Sequence, residues 1–139
     1  MKITYATEPD LAVDEFADLL SRSTLATRRP ADDRERLDRM LRGADLIVAA
    51  RNAEGLLVGV ARAISDFSFC TYLSDLAVDE AYQRQGIGRE LLRQTHAAAG
   101  DETSLILHAA PAAADFYPHV GMETYDNCWR IRRRGDTTD

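Results

Sequence analysis

The stretch QRQGIG, residues 83–88, places two glycines one residue apart directly before a run with helical spacing of its apolar residues. The apolar LSDLAV precedes it and IGRELLRQTHAAAG follows it, which indicates a strand, a loop and a helix. The first NH groups of a helix lack partners within the helix and, together with the helix dipole, attract anions. Gly86 and Gly88 would let an anion approach the backbone, while Arg84 and Arg89 would add charge-assisted hydrogen bonds. The stretch therefore predicts a diphosphate-binding site.

Two better-known phosphate-binding motifs do not fit this stretch. A dinucleotide fingerprint requires a third glycine where Leu91 stands, and a P-loop requires Gly-Lys followed by Ser or Thr. Two glycines alone are also compatible with simple turn chemistry at a helix start. The residues by themselves thus leave both an anion site and an ordinary turn open.

The hydrophobic periods along the chain predict the element order β, α, α, β, β, β, α, β, α, β, β. The first helix is expected roughly over residues 10–20, the second ends at Gly43 and the third at Gly100. The run TSLILHAA is typical of a strand buried on both faces, and PAAADFYPHVG predicts a short helix ending at or before Pro118. METYDNCWRIRRR predicts a closing hairpin-like pair of strands. We expect one domain over residues 1–134 and a short frayed tail over 135–139.

The composition argues against several classes of protein. A net charge of −6 disfavours sequence-independent binding of nucleic acid. The sequence shows neither a run of apolar residues long enough to cross a bilayer nor the apolar core of a signal peptide in MKITYATEPD, so no membrane association and a cytoplasmic location are expected. Cys70 and Cys128 are expected to be reduced packing residues. The three histidines lack the spacing of a metal site.

The stretch QRQGIG resembles the acetyl-coenzyme A pyrophosphate loop of the GNAT superfamily of N-acetyltransferases, whose pattern is Arg/Gln-x-x-Gly-x-Gly/Ala. LSDLAVDEAY resembles the fourth strand of that family, RELL its central helix, and LILHAAPAAADFYPHVGM its fifth strand with the next helix. The resemblance covers most of the chain. It implies an α/β fold, α+β in some schemes, with a mixed, mostly antiparallel twisted sheet of about six to seven strands flanked by four helices.

The resemblance also implies a cosubstrate, acetyl-coenzyme A, and no metal. The backbone of the loop would hold the pyrophosphate, and the end of the fourth strand would offer its edge to the pantetheine arm, whose amides imitate an added strand. The family often has an asparagine where this chain has Ala110, so one side-chain contact to the cofactor is missing. The cofactor-binding residues carried over are Leu76, Ala77, Val78, Gln83, Arg84, Gln85, Gly86, Ile87, Gly88 and Arg89.

Two side chains are the candidate catalytic residues. Tyr117 matches the tyrosine that lies beside the cofactor sulfur in many members of the family. A thiol has a pKa near 8.5 and a phenol near 10, so full proton transfer to the thiolate would be uphill by roughly 2 kcal/mol and hydrogen-bond donation is the expected role. Asp75 stands where many relatives carry an acid, and it is the candidate base for the ammonium of the acceptor. Alternatively, Asp75 hydrogen-bonds a loop or holds the cation of the substrate. An NH within residues 76–78 would stabilise the oxyanion.

The function expected from the resemblance is that of an acyltransferase of the EC 2.3.1 class. Acetyl would pass from acetyl-coenzyme A to a primary amine of a small molecule or peptide, by direct attack in a ternary complex. Two alternatives are a non-catalytic acyl-coenzyme A binding or sensing domain and, more weakly, a nucleotide-binding module. The acceptor stays open, and a homodimer is an option that the sequence neither requires nor excludes.

Overall fold

The computed structural model describes residues 2–136, which contain five strands and four helices in the order β, α, α, β, β, β, α, β, α. Three short 3-10 turns lie between them, at Leu25–Arg28, Glu80–Tyr82 and Pro111–Ala113. The chain divides after His108 into two compact units, each of which is described by itself. The first unit contains β1 (Thr4–Thr7), α1 (Val13–Arg22), α2 (Arg34–Arg42), β2 (Leu46–Arg51), β3 (Leu57–Ser65), β4 (Cys70–Val78), α3 (Ile87–Ala99) and β5 (Ser104–Leu107), and the second contains α4 (Phe116–His119).

The sheet of the first unit has the order β1-β2-β3-β4-β5 and is covered on both faces. Neighbouring strands are antiparallel except for β4 and β5, which are parallel. Alternate residues of β2 point to opposite cores: Ile47 packs in a cluster with the side chains of α1 and α2, and Val48 packs with α3. The mixed, mostly antiparallel α/β architecture and the helices on both faces are thus confirmed.

The helices of the first unit end where the local sequence requires. The carboxylate of Asp33 accepts a hydrogen bond from the NH of Arg36 at 3.0 Å, which caps the start of α2, and α2 closes at Gly43. Gly100, with φ of 101°, terminates α3. Both ends agree with the predicted boundaries because caps act locally.

A bulge interrupts the pairing of β3 with β4. Arg62 pairs with Asp75 and the next residue of β3, Ala63, pairs with Leu73, so Ser74 is an extra residue in β4. A bulge of this kind bends a strand and redirects the residues that follow it. The parallel pairing of β4 with β5 is confined to Cys70–Leu73 and Ser104–Leu107. Within the described chain, residues 75–78 therefore pair with β3 but not with β5.

The end of the chain differs from the sequence-based expectation. Residues 122–136 contain no strand, so the sheet has five strands rather than six to seven. An alternating pattern forms a strand only if its backbone finds a partner, and here Trp129 is 90% exposed. Because no strand in the described part of the chain pairs with the other side of β5, this strand lies at the edge of the sheet and is half-buried. The run TSLILHAA had predicted a central strand buried on both faces.

Three smaller expectations concern the end of α4, the two cysteines and the end of the chain. The helix α4 runs through Pro118 to His119, because a proline in the first turn gives up an NH that would have no partner there. Cys70 and Cys128 are exposed, not packed, since both lie beside loops. Arg133 pairs with Asp136 at 3.0 Å, whereas residues 137–139 of the expected tail lie outside the described residues. The single domain over residues 1–134 stays a prediction.

Candidate active site

The predicted phosphate loop leads directly into the buried start of α3. Gly86 is the N-cap and has a φ of 83°, in the left-handed region that favours glycine. Ile87, the first residue of the helix, is buried in the core shared with β3. Its side chain fixes the end of the helix, while Arg84, Gln85 and Gly86 are exposed. The first-turn NH groups of α3, which have no partners inside the helix, therefore face a loop that is accessible to a ligand.

The backbone of this loop is unusual in a second place. Arg84 has a φ of 66°, which non-glycine residues adopt rarely. Such conformations cost free energy and persist where the surroundings impose them, often at ligand sites. The loop thus turns twice into the left-handed region, at residues 84 and 86.

Two side chains from outside the loop, Arg22 of α1 and Asn52 after β2, hold its start. The carboxylate of Asp79 accepts from the NH of Ala81 at 2.8 Å and forms an ion pair with Arg22 of α1. Arg22 also donates to the carbonyl oxygen of Leu57 at 2.9 Å. The hydroxyl of Tyr82 accepts from Nδ2 of Asn52 at 3.0 Å. These anchors were not predicted; the position of Asp79 at the end of a strand, before a turn, was the available signal.

The edge of β4 predicted for the pantetheine arm comes close to the phosphate loop. Leu76, Ala77 and Val78 pair with Ala61, Val60 and Gly59 of β3 on one side. On the other side, β5 has ended its pairing at Leu73. Nε2 of Gln83 donates to the carbonyl oxygen of Val78 at 3.3 Å, which ties the loop to the end of the strand. The structure thus brings together the two groups of predicted cofactor-binding residues.

A cluster of charges surrounds Asp75. Its side chain is fully buried, one carboxylate oxygen accepts from Nε of Arg29 at 2.6 Å, and the other accepts from Nε of Arg62. A proton acceptor needs access to the ammonium or to water, whereas both oxygens here are occupied by guanidinium groups. These contacts favour the alternative role, in which Asp75 holds a loop, because Arg29 belongs to the segment between α1 and α2. The role of Asp75 as a base stays a prediction.

Tyr117 belongs to the second unit. It is the second residue of α4, and its ring meets that of Phe116 edge to face with centroids 5.1 Å apart. Burial raises the pKa of the Tyr117 phenol above its ordinary value. A phenol with a raised pKa stays protonated at neutral pH and is suited to donate a hydrogen bond. This agrees with a donor role rather than with a proton-transferring one.

The acidic residue of the first turn of α3 is already paired. Glu90 accepts from Nη2 of Arg93 at 2.6 Å and from Nε2 of Gln94 at 2.7 Å, and these hydrogen bonds lower the pKa of Glu90 to about 2. Its charge is therefore partly balanced beside the start of the helix.

Within residues 2–136, no group of three or more His, Cys, Asp or Glu side chains is arranged to hold a metal ion.

The strand, loop and helix of the candidate site lie within a known sequence family. The sequence profile described as an acetyltransferase (GNAT) domain matches residues 17–129. The chain belongs to the GNAT acetyltransferase family. The match includes β4, the phosphate loop, α3 and Tyr117, and thus every candidate site residue.

Individual relatives agree with this membership. An uncharacterized N-acetyltransferase from Gracilaria tenuistipitata is 34% identical over 76 residues, which is 53% of this chain and 42% of the relative. The GCN5-related N-acetyltransferase 2 (chloroplastic) of Arabidopsis thaliana is 36% identical over 75 residues, 52% of this chain and 29% of the relative. The matched segment thus spans less than half of the length of each of these relatives.

A solved structure shares the fold. The GNAT-family acetyltransferase from Streptococcus pneumoniae superposes with a TM-score of 0.73 at 23% identity, over 97% of this chain and all of that one.

None of the helices between residues 2 and 136 combines the length and the apolar character that crossing a bilayer requires.

Proposed function

We propose that this chain binds acetyl-coenzyme A and transfers its acetyl group to a primary amine. One observation supports the proposal most strongly. Residues 76–78 of β4 pair with β3 but not with β5, and the loop that follows this strand ends in the left-handed turn at Gly86 before α3. An extended amide-bearing arm fits the first feature and an anionic diphosphate fits the second. Membership of the GNAT family supports the same cofactor.

The residues present suit two parts of the cofactor, the pyrophosphate and the pantetheine arm. The NH groups of residues 83–89 would hold the pyrophosphate, and Arg84 and Arg89 would add charge at its exposed side. Leu76, Ala77 and Val78 would hydrogen-bond the pantetheine amides through the edge that β5 leaves open. When bound, the cofactor supplies the activated acyl group as a thioester.

The reaction requires three contributions from the protein. A backbone NH within residues 76–78 would stabilise the oxyanion that forms when the amine attacks the carbonyl. Tyr117 would donate a hydrogen bond to the departing thiolate. The amine must also lose a proton, which Asp75 or a water molecule would accept; the guanidinium contacts of Asp75 favour water.

The acceptor is proposed only as a class, a primary amine on a small molecule or a peptide. The cytoplasmic location and the option of a homodimer stay predictions. One of the similar proteins, from Arabidopsis thaliana, is chloroplastic, so the similar proteins do not indicate a single cellular compartment.

Release of free thiol tests the proposal. The chain is incubated with acetyl-coenzyme A and each member of a panel of primary amines, and the thiol is measured with a chromogenic disulfide. We expect release that depends on the amine and saturates with it. A chain that acetyl-coenzyme A stabilises against heat, but that releases no thiol with any amine, would instead be a binding or sensing domain. Stabilisation by ATP but not by coenzyme A would indicate a nucleotide-binding module.

A further inference from the structure

Asn52, the residue directly after β2, uses both ends of its carboxamide. Its Oδ1 accepts from the NH of Glu54 at 3.0 Å and from the NH of Leu56 at 2.9 Å, which closes the turn before β3. Its Nδ2 donates to the hydroxyl of Tyr82 at 3.0 Å, 30 positions further along the chain. Asn52 is only 9% exposed. One buried carboxamide therefore fixes a hairpin turn and a residue of a distant loop at the same time.

Tyr82 directly precedes the phosphate loop. Its ring packs against the core that also contains Ile87 and Leu91 of α3. Its NH donates to the carbonyl oxygen of Asp79 at 2.8 Å. The ring, the NH and the hydroxyl of Tyr82 are thus all held by groups outside residues 83–86.

The four residues between Tyr82 and Ile87 include both left-handed positions of the loop. Arg84 has a φ of 66° and Gly86 a φ of 83°. A non-glycine residue in this conformation is costly, and it persists where its surroundings hold it. Residues 83–86 are exposed, so burial of their own side chains contributes little to holding them. The restraint comes instead from the two ends of the loop, Tyr82 and Ile87, which are anchored on the same core.

We infer that Asn52 is a positioning residue for the cofactor: through Tyr82 it holds residues 83–86 in the conformation that receives the pyrophosphate before the cofactor arrives. This inference rests on the proposed function, because that function assigns the pyrophosphate to the loop. The apparent Kd of a ligand equals its intrinsic Kd divided by the fraction of chains whose site is already formed. Loss of the hydrogen bond between Asn52 and Tyr82 lowers this fraction, and coenzyme A then binds more weakly.

Three variants separate the hydrogen bond from the stability of the turn. Tyr82→Phe removes only the hydroxyl. Asn52→Ser keeps an oxygen that can accept from the backbone of the turn, but its side chain is too short to replace the amide donor. The third variant combines both changes. Tyr72→Phe is the matched control, because this tyrosine is 46% exposed and pairs with Ile64 and Ile106 near the start of β4.

Titration calorimetry with coenzyme A provides the first measurement. In each single variant we expect the Kd of coenzyme A to rise by about threefold to tenfold, the range that the loss of one hydrogen bond corresponds to. The double variant should show the same rise, because both substitutions remove one and the same bond. Tyr72→Phe should leave the Kd unchanged. An unchanged Kd in Tyr82→Phe, or a rise in the double variant equal to the product of the two single rises, overturns the inference.

Steady-state kinetics distinguish positioning of the loop from general damage to the fold. In Tyr82→Phe the KM of acetyl-coenzyme A should rise by about the same factor as the Kd. The value of kcat should stay within about twofold of that of the unsubstituted chain, since the loop holds the cofactor equally in the ground state and the transition state. A fall in kcat without a rise in this KM overturns the inference.

Hydrogen exchange of the protein without ligands shows whether the bond holds the start of the loop. The NH groups of Ala81 and Tyr82 both donate to Asp79. In Asn52→Ser these two amides should exchange about threefold to tenfold faster than in the unsubstituted chain, and in Tyr72→Phe they should not. Unchanged exchange at both positions in Asn52→Ser overturns the inference. An unsubstituted chain that does not bind coenzyme A overturns the proposed function and the inference with it, whereas binding with one Kd in every variant overturns the inference alone.

Discussion

Gly59 of β3 lies directly against Ile87 at the start of α3. A Cβ atom on Gly59 would be 3.1 Å from Cγ2 of Ile87 and 3.0 Å from Cδ1 of Leu91, closer than side chains normally pack. The missing side chain therefore lets the helix approach the sheet. Because α3 begins at this contact, the position of the proposed pyrophosphate site depends on a glycine that is not part of the phosphate loop.

Enlarging Gly59 should therefore disturb stability and cofactor binding together. We expect Gly59→Val to lower the free energy of unfolding by about 1–3 kcal/mol, the usual cost of overpacking, and to weaken coenzyme A binding. Urea unfolding and titration calorimetry measure the two effects. A large loss of stability with an unchanged Kd for coenzyme A would show that the start of α3 does not determine the site.

Gly86 is needed for its backbone conformation, not for space. A Cβ on Gly86 would meet no atom within 4 Å, but its φ is 83°. Gly86→Ala should therefore cost about 1–2 kcal/mol of stability through the left-handed conformation and should weaken coenzyme A binding. The control is Gly55→Ala in the turn between β2 and β3, where φ is 87° and the space is equally open. The control should show a similar loss of stability and an unchanged Kd; equal Kd changes in both variants would contradict the assignment.

The sequence predicted those features that depend on neighbouring residues. The starts and ends of α2 and α3 follow from Asp33, Gly43, Gly86 and Gly100, each of which acts within a few positions of the end it determines. The mixed sheet flanked by helices was implied by the resemblance of residues 83–88 and their flanks to a known family. The candidate cofactor residues stay predictions, and the resemblance that suggested them covers a loop and the strand directly before it.

The features that the sequence did not reveal depend on distant residues. Arg29 meets Asp75 across 46 positions, and an arginine in a loop has no periodicity that would indicate its partner. The bulge at Ser74 can be recognised only when the residues of the facing strand are counted. The predicted final strands, around Trp129, had the right alternation, but alternation cannot specify a partner for the backbone.

Tyr117→Phe tests the proposed donor to the thiolate. Because only the hydroxyl is lost, kcat should fall while the Kd of acetyl-coenzyme A remains nearly unchanged. Stopped-flow detection of the thiol and calorimetry give the two values. Tyr125→Phe, at a tyrosine of the same unit that is 64% exposed, is the control and should leave kcat unchanged. The same kcat in Tyr117→Phe and the unsubstituted chain would remove this role.

Asp75→Asn distinguishes a base from a structural anchor. The geometry predicts a loss of about 3–5 kcal/mol in the free energy of unfolding, since the substitution leaves two guanidinium groups facing a neutral amide. It also predicts a pH–rate profile of unchanged shape, because both oxygens of Asp75 are occupied. The profile is measured at a temperature where the variant is folded. A profile that loses its rise with pH would assign the base role to Asp75 after all.

Arg51 should make the stability of the fold depend on pH. It donates to Glu15 at 2.6 Å and to Glu8 at 2.7 Å, and its hydrogen bond lowers the pKa of Glu15. A carboxyl with a lowered pKa stabilises the folded state above its unfolded pKa, near 4.3, and this contribution is lost as the pH falls through the folded pKa. Arg51→Gln should therefore reduce the free energy of unfolding more at about pH 7 than at about pH 3. Urea titrations at both values that give equal losses would contradict this.

We expect one acetyl group to pass from coenzyme A to an amine for each thiol released. This transfer is tested most directly by supplying acetyl-coenzyme A with an isotopically labelled acetyl group, together with an amine that supports thiol release, and following the label by mass spectrometry. Labelled N-acetyl amine should form in amounts equal to the free coenzyme A. Label recovered as free acetate, or retained on acetyl-coenzyme A while the chain is stabilised by binding it, would contradict acetyl transfer to the amine.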